Sequence, residues 1–126
     1  MTDHVRILLV SVGSYGQKYL AEATRPGFEG ELVGIVDIAP DLPKRYPVIR
    51  EKQIPVFTDL ESFYAEHSAD LAVIVSPIHL HRQMVLFCLQ HGSHVLCEKP
   101  LCLTEAETFE MAEASKKAGR FLAVGW

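Results

Sequence analysis

A short glycine turn between an apolar run and a helical pattern constrains this chain more than any other feature. The run at residues 5–10 (VRILLV) is too short to span a membrane and is typical of a strand buried on both faces. The segment SVGSYG follows at 11–16, and apolar residues then recur at helical spacing up to Ala23. Strand, turn and helix together present backbone N–H groups to a diphosphate, with the helix N-terminus adding partial positive charge. The candidate nucleotide contacts in this turn are Gly13, Ser14, Tyr15 and Gly16.

A carboxylate at the end of the second apolar run strengthens this interpretation. The run at residues 31–36 leads into Asp37, 21 residues beyond Gly16, about where a dinucleotide site needs an acid for the adenosine ribose hydroxyls. A carboxylate repels a 2′-phosphate, so Asp37 favours NAD, while Lys44 and Arg45 leave NADP open. The alternative is that Asp37 merely ends a strand, since aspartate is a common turn residue.

One position departs from the dinucleotide motif. Ser11 stands where G-x-G-x-x-G has its first glycine. Serine is tolerable there if the backbone angles suit an L-residue, and otherwise it distorts the turn.

Size, charge and cysteine usage narrow the class of protein. The 126 residues are enough for one domain with a core, and 48% of them are hydrophobic, which excludes a disordered chain. A net charge of −4 without a basic run argues against a nucleic-acid surface. The N-terminus lacks the flank and cleavage site of a signal peptide, and three cysteines show no disulfide spacing. We expect a cytoplasmic protein with no membrane or nucleic-acid partner and no metal site.

Apolar runs alternate with helical patterns along the rest of the chain. Further strands are predicted at residues 54–57 (an edge strand), 70–76, 94–98 and 121–124. Two capping boxes predict helices that start at Thr58 and Thr104, the second ending at Gly119, and another helix is predicted at 79–90. Closely spaced prolines permit only a short distorted helix near residues 42–46, followed by a loop.

This alternation predicts an α/β fold, a Rossmann-type doubly wound parallel sheet with helices on both faces, as a single domain at 1–126. Ligands of such sheets bind at the carboxyl ends of the strands, near the switch in strand order. The glycine turn, Asp37, Ser76-Pro77 and Glu98-Lys99-Pro100 all follow predicted strands. The sequence therefore predicts one composite site at that edge.

These motifs, in this order, resemble the N-terminal domain of the glucose–fructose oxidoreductase, inositol dehydrogenase and rhizopine-catabolism (Gfo/Idh/MocA) family. The resemblance covers almost every residue and is carried best by HVLCEKPL at 94–101, with SPIHLH at 76–81 and the final VGW. It implies a nicotinamide-dependent oxidoreductase that acts on a sugar, a cyclitol or a related hydroxyl or carbonyl compound. By the same resemblance, Lys99 contacts the reacting hydroxyl and, together with Ser76, Pro77, His81 and Glu98, lines the cofactor pocket. A lysine so placed can polarise that oxygen or relay its proton.

Two departures from the family pattern affect this expectation. Ile78 stands where the family often has a polar residue, so one hydrogen bond near the cofactor is missing. Family members also continue into an α+β domain that supplies substrate contacts, a further catalytic residue and the oligomer interface. We therefore expect a cofactor domain that by itself transfers hydride very poorly, from a parent that forms a homo-oligomer.

Alternatives of other classes remain at this point. The same family includes a transcriptional co-repressor that binds dinucleotide without turnover, so a non-catalytic sensor is the main rival. An S-adenosylmethionine methyltransferase shares the strand, turn and acid but leaves Glu98-Lys99-Pro100 unexplained. The alternative for Lys99 is that it is an ordinary surface lysine with no catalytic role.

Overall fold

Six strands form one parallel sheet in the part of the chain that the computed structural model describes, residues 4–13 and 15–125. The strands are β1 (Arg6–Val10), β2 (Glu31–Val36), β3 (Val56–Phe57), β4 (Leu71–Ile74), β5 (His94–Glu98) and β6 (Leu122–Gly125). Their order is β3-β2-β1-β4-β5-β6, and every neighbouring pair is parallel. The chain reverses its direction of winding between β1 and β4, which is the switch point where such sheets bind ligands. The predicted Rossmann fold is confirmed, with β3 at the edge as Pro55 indicated.

Helices connect the strands and cover both faces of the sheet. They are α1 (Gly16–Thr24), α2 (Leu42–Arg45), α3 (Pro47–Glu51), α4 (Leu60–Glu66), α5 (His81–Gln90, preceded by a 3₁₀ turn at Ile78–Leu80) and α6 (Glu105–Ala118). In the described residues no helix has the length and apolarity that crossing a bilayer requires. Two separate clusters of buried side chains lie on the two faces.

Alternation along β1 divides the core between these two faces. Leu8 and Val10 join the cluster that contains Phe63 of α4 and Met111 of α6, whereas Leu9 joins the cluster under α1 to α3. All of these side chains are at most 1% exposed. Burying a side chain of this size stabilises the fold by about 1.5–3 kcal/mol relative to leaving it exposed. Because β1 is apolar on both faces, it gains this free energy on both sides only in a central position of the sheet.

The capping boxes give one confirmed prediction and one correction. Thr104 caps α6 by accepting a hydrogen bond from the Glu107 N–H at 3.2 Å, and Gly119 ends this helix with φ +67°. In α4 the cap is Asp59 rather than Thr58, because the Asp59 carboxylate accepts from the Ser62 N–H at 2.7 Å. Hydrogen bonding to the Ser62 side chain, and then to its backbone N–H, lowers the pKa of Asp59. A carboxylate at a helix N-terminus also gains from the dipole, which a threonine hydroxyl does not.

The segment between β2 and β3 holds more helix than the prolines suggested. The loop expected after residue 46 is wrong, because α3 begins at Pro47. Proline lacks an N–H and its fixed φ suits the first position of a helix, so Pro47 starts this helix as well as ending the previous one. Ile49, 1% exposed, anchors α3 in the second cluster.

Candidate functional site

The two glycines of the turn have opposite surroundings. A Cβ on Gly16 would overlap the carbonyl oxygen of Ser11, so α1 can approach the turn only because residue 16 has no side chain. Around a Cβ on Gly13, in contrast, no described atom lies within 4 Å. Gly16 therefore serves packing, and Gly13 leaves the backbone accessible to a ligand, which matches the roles that the motif predicts.

The N-terminus of α1 is open to an anion. Its N-cap residue, Tyr15, provides no side-chain hydrogen bond, and the first turn contains no acidic residue. Tyr15 is 47% exposed, and the Lys18 ammonium lies 4.9 Å from the centre of its ring. Ser14 falls outside the described residues. Partial positive charge of the helix dipole favours a phosphate here, and the described residues of the first turn include no acid that would compensate it.

Ser11 adopts the backbone conformation that the motif normally gives to glycine. Its φ is +78°, in the left-handed region, so the condition for tolerating serine at this position is not met. Its N–H donates to the Val36 carbonyl at 2.7 Å, which ties the start of the turn to the end of β2. The side chain therefore carries a conformational cost of about 1–2 kcal/mol that the glycine would not have.

Ser11→Gly should raise the free energy of unfolding by up to about 1 kcal/mol, because relief of the left-handed strain exceeds the extra entropy of glycine in the unfolded chain. Urea denaturation measures the effect. The control is Ser115→Gly, which lies inside α6 and should be destabilising. Equal losses for both variants would show that residue 11 is not strained.

Asp37 fixes the geometry between β2 and the glycine turn. One carboxylate oxygen accepts from the Val12 N–H at 2.8 Å, and the other accepts from the Ala39 N–H at 2.9 Å. Each oxygen retains further lone pairs for ribose hydroxyls. The side chain is half-buried beside the turn, so both predicted elements of the dinucleotide motif meet in space.

A cleft of about 710 Å³ opens at the carboxyl ends of β1, β2 and β4. Of the predicted site residues it is lined by Asp37, Ser76 and Pro77, with Ser11 beside them. Its apolar walls include Ile38, Leu80 and Phe87. An apolar cleft of this size with a few convergent polar groups is typical of a small-molecule site.

Ile38 is a cleft residue that the sequence reasoning missed. Its side chain is 87% exposed, an unusual placement for isoleucine, and it lines the cleft directly after Asp37. The sequence feature that could have identified Ile38 is an apolar residue directly after the acid at the end of a strand. Exposed apolar surface beside Asp37 suits the flat face of an adenine ring.

His81 lies beneath the site rather than in it. The imidazole is 2% exposed, and its Nε2 lies 2.6 Å from the Ser76 carbonyl oxygen. Its Nδ1 faces the carbonyl oxygens of Leu101 at 3.0 Å and Pro100 at 3.1 Å. Both nitrogens are thus directed at backbone, so this placement supports a role in holding two loops together and gives no support to direct contact with a cofactor.

The Glu98-Lys99-Pro100 motif leaves the sheet at the end of β5. Glu98 accepts a hydrogen bond from the Tyr19 hydroxyl at 2.5 Å, and the Lys99–Pro100 peptide bond is cis. Lys99 is exposed, and its ammonium has no hydrogen-bond or ion-pair partner among residues 4–13 and 15–125. Glu98 and Lys99 share the carboxyl edge of the sheet with the cleft but are not among its lining residues.

The cysteines and histidines near this edge form no further chemical centre in the described ranges. No group of three or more histidine, cysteine or acidic side chains there is arranged to hold a metal ion. Burial raises the pKa of the Cys97 thiol to about 12, so it remains protonated and unreactive near neutral pH.

Strand order and the position of the turn define the class of protein, a dinucleotide-binding Rossmann domain. The sequence profile of an oxidoreductase family with an NAD-binding Rossmann fold matches residues 5–126. The chain therefore belongs to this family, the Gfo/Idh/MocA oxidoreductases, as its motifs predicted.

Several characterised proteins are similar to the chain. Scyllo-inositol 2-dehydrogenase (NADP⁺) IolU of Bacillus subtilis is 41% identical over 63 residues, 50% of this chain and 19% of that protein. Trans-1,2-dihydrobenzene-1,2-diol dehydrogenase of Xenopus laevis is 34% identical over 105 residues, 82% of this chain and 31% of that protein. The WlbA dehydrogenase of Chromobacterium violaceum, solved with NADH and UDP-GlcNAcA, superposes with a TM-score of 0.87 at 26% identity, over 99% of this chain and 36% of that one. The chain thus spans about a third or less of the length of these relatives.

Proposed function

We propose that this chain is the cofactor domain of an enzyme that transfers hydride between NAD and a hydroxyl or carbonyl carbon of a sugar, a cyclitol or a related compound. The observation that carries the proposal is the meeting of the glycine turn, Asp37 and the Ser76-Pro77 cleft at the switch point of the sheet. The relatives support the same proposal. Two of those compared above are named as dehydrogenases of an inositol and a diol, and the third was solved with NADH and a nucleotide sugar.

The residues present fit a dinucleotide. The accessible backbone at Gly13 and the N-terminus of α1 would hold the diphosphate. Asp37 would accept hydrogen bonds from the adenosine ribose, and Ile38 would lie against the adenine. The charge of Asp37 would repel a 2′-phosphate, which favours NAD over NADP.

Lys99 is the proposed catalytic residue. Bound NAD supplies a hydride acceptor, and oxidation of an alcohol carbon also requires its hydroxyl proton to leave. An unprotonated Lys99 amine would take that proton, and the ammonium would return it in the reverse direction. Its exposed amine and its place at the strand end beside the switch point suit this role. A dinucleotide sensor needs no such group, so we favour the enzyme over the sensor.

We further propose that polypeptide outside these 126 residues supplies most substrate contacts and that hydride transfer by the chain alone is very poor. The support for this is that the chain spans only 19%, 31% and 36% of the length of the three relatives compared above. The expected homo-oligomer and cytoplasmic location stay predictions.

Titration of the chain with NADH tests the proposal. Fluorescence or calorimetry should show saturable binding of one NADH with a Kd between about 1 µM and 1 mM. Binding should compete with NAD and should be weaker for NADPH. If NADH shows no saturable binding up to roughly 5 mM, several times the highest expected Kd, the chain is not a cofactor domain.

Asp37→Asn should weaken NADH binding by about tenfold, because a neutral amide oxygen accepts weaker hydrogen bonds from ribose than a carboxylate does. The same change should improve the ratio of NADPH to NADH affinity, since it removes charge that repels a 2′-phosphate. Competition titrations with both coenzymes measure this. Asp41→Asn is the matched control, because Asp41 is exposed at the start of α2. An unchanged NADPH to NADH ratio would take Asp37 out of the ribose site.

A further inference from the structure

A tyrosine of the helix that follows the glycine turn is hydrogen-bonded to the strand that carries the proposed catalytic lysine. The Tyr19 hydroxyl on α1 donates to a carboxylate oxygen of Glu98 at 2.5 Å, across 79 residues of sequence. Glu98 is the last residue of β5 and directly precedes Lys99. The bond therefore joins the helix of the diphosphate site to the base of the lysine.

The surroundings keep this pair intact. Burial, and then the neighbouring Glu98 carboxylate, raise the pKa of Tyr19, so the phenol stays protonated and remains a donor. Gly125 of β6 lies opposite Glu98 in the sheet. A Cβ on Gly125 would come within 2.6 Å of a Glu98 carboxylate oxygen and 3.3 Å of the Tyr19 hydroxyl. The absence of a side chain at residue 125 thus leaves the space that the pair occupies.

The main chain on the other side of Lys99 is fixed separately. The Nδ1 atom of His81 lies beneath it, 3.1 Å from the Pro100 carbonyl oxygen and 3.0 Å from that of Leu101. Lys99 is thereby held at both flanks, while its own amine is exposed. Orientation of a catalytic side chain requires a fixed main chain and an accessible reactive group, and Lys99 has both.

We propose that Tyr19 is a positioning residue for Lys99, acting through Glu98, and that Gly125 is required to leave room for their contact. The inference rests on the proposed function, since the position of Lys99 affects catalysis only if Lys99 takes part in the reaction. Its consequence is that the amine keeps a fixed relation to the helix at which the diphosphate binds.

A purely structural tie is the competing explanation, and the chain offers an internal comparison for it. The Tyr64 hydroxyl makes a similar bond, 2.6 Å to Ser93, at the opposite end of β5. Loss of either hydroxyl removes one partly buried hydrogen bond and should lower the Tm. Only the bond at Tyr19 lies beside Lys99.

The experiment compares Tyr19→Phe and Tyr64→Phe in the intact enzyme that carries this domain. Tyr19→Phe should lower kcat by roughly ten- to a hundredfold through misplacement of the amine, and leave KM for NAD within about twofold. Tyr64→Phe should also lower the Tm, because it too loses a partly buried hydrogen bond, but it should leave kcat unchanged. The split between kcat and KM distinguishes positioning from general loosening.

Gly125→Ala provides a second, independent variant. Its Cβ would push the flexible end of the Glu98 side chain away from Tyr19 rather than meet backbone, so the fold should survive. Its kcat should fall as in Tyr19→Phe, and the double variant should be no slower than either single one, because both break the same contact.

The outcomes separate this inference from the proposed function. An active wild type, an inactive Lys99→Met and a Tyr19→Phe enzyme with wild-type kcat would overturn the positioning role alone. Additive losses for Tyr19→Phe and Gly125→Ala would also overturn it. A wild type without NADH binding would instead refute the proposed function.

Discussion

In the enzyme proposed above, replacing Lys99 by methionine should lower kcat by about 10²- to 10⁴-fold, the usual contribution of a positioned acid–base group. The affinity for NADH should stay within about threefold, because the amine acts on the reacting hydroxyl and is not needed to hold the coenzyme. Steady-state kinetics with a panel of polyols and sugars, beside NADH titration of the same variant, measures both quantities. The exposure of Lys99 means that the fold should be unaffected.

Lys117→Met is the control for charge and surface change. Lys117 is exposed in the last turn of α6 and has no place in the proposed site. Its kcat should equal that of the wild type. Full activity of Lys99→Met would favour the sensor or a different catalytic residue, whereas loss of NADH binding in this variant would assign Lys99 to the cofactor alone.

The second large effect concerns the accessible glycine of the turn. Gly13→Ala should weaken NADH binding by about ten- to a hundredfold, or roughly 1.4–2.7 kcal/mol. The methyl group would enter the space through which a diphosphate approaches the backbone. Stability should change little, because no described atom lies within 4 Å of the new Cβ. Calorimetric titration and thermal unfolding on the same sample give both results.

Gly16→Ala is the matched comparison, with the same chemical change three residues later. Its Cβ would strike the Ser11 carbonyl oxygen, which is backbone and has little freedom to move. The Tm should therefore fall sharply along with NADH affinity. Equal stability of the two variants would contradict the division of roles between the glycines, and unchanged NADH binding in Gly13→Ala would place the diphosphate elsewhere.

The position of the site was predictable because parallel strands all end at one edge. Apolar runs that each finish in polar residues are enough to bring Asp37, Ser76 and Glu98 to that edge. The helix at α3 was not predictable in the same way, because Pro47 reads equally as a helix breaker and as a first helical residue. The helix forms because it buries Ile49, which is 1% exposed, and this packing is not visible in the local sequence.

Side-chain partners were less accessible to sequence reasoning than backbone positions. His81 was assigned to the cofactor, yet its ring is buried against the carbonyl oxygens of Ser76, Pro100 and Leu101. Tyr19 was recognised only as part of a helical face, and its bond to Glu98 depends on how α1 crosses β5. Contacts between residues so distant in sequence leave no local pattern.

The sequence by itself determined the Rossmann fold, the family, and the glycine turn and acid of the proposed dinucleotide site, because strand periodicity and turn chemistry are local properties. Tertiary structure alone decided that Ser11 takes a left-handed conformation, that Ile38 is exposed in the cleft and that Gly125 leaves room for Tyr19 and Glu98. Each of these depends on the distance between chain segments that only packing brings together.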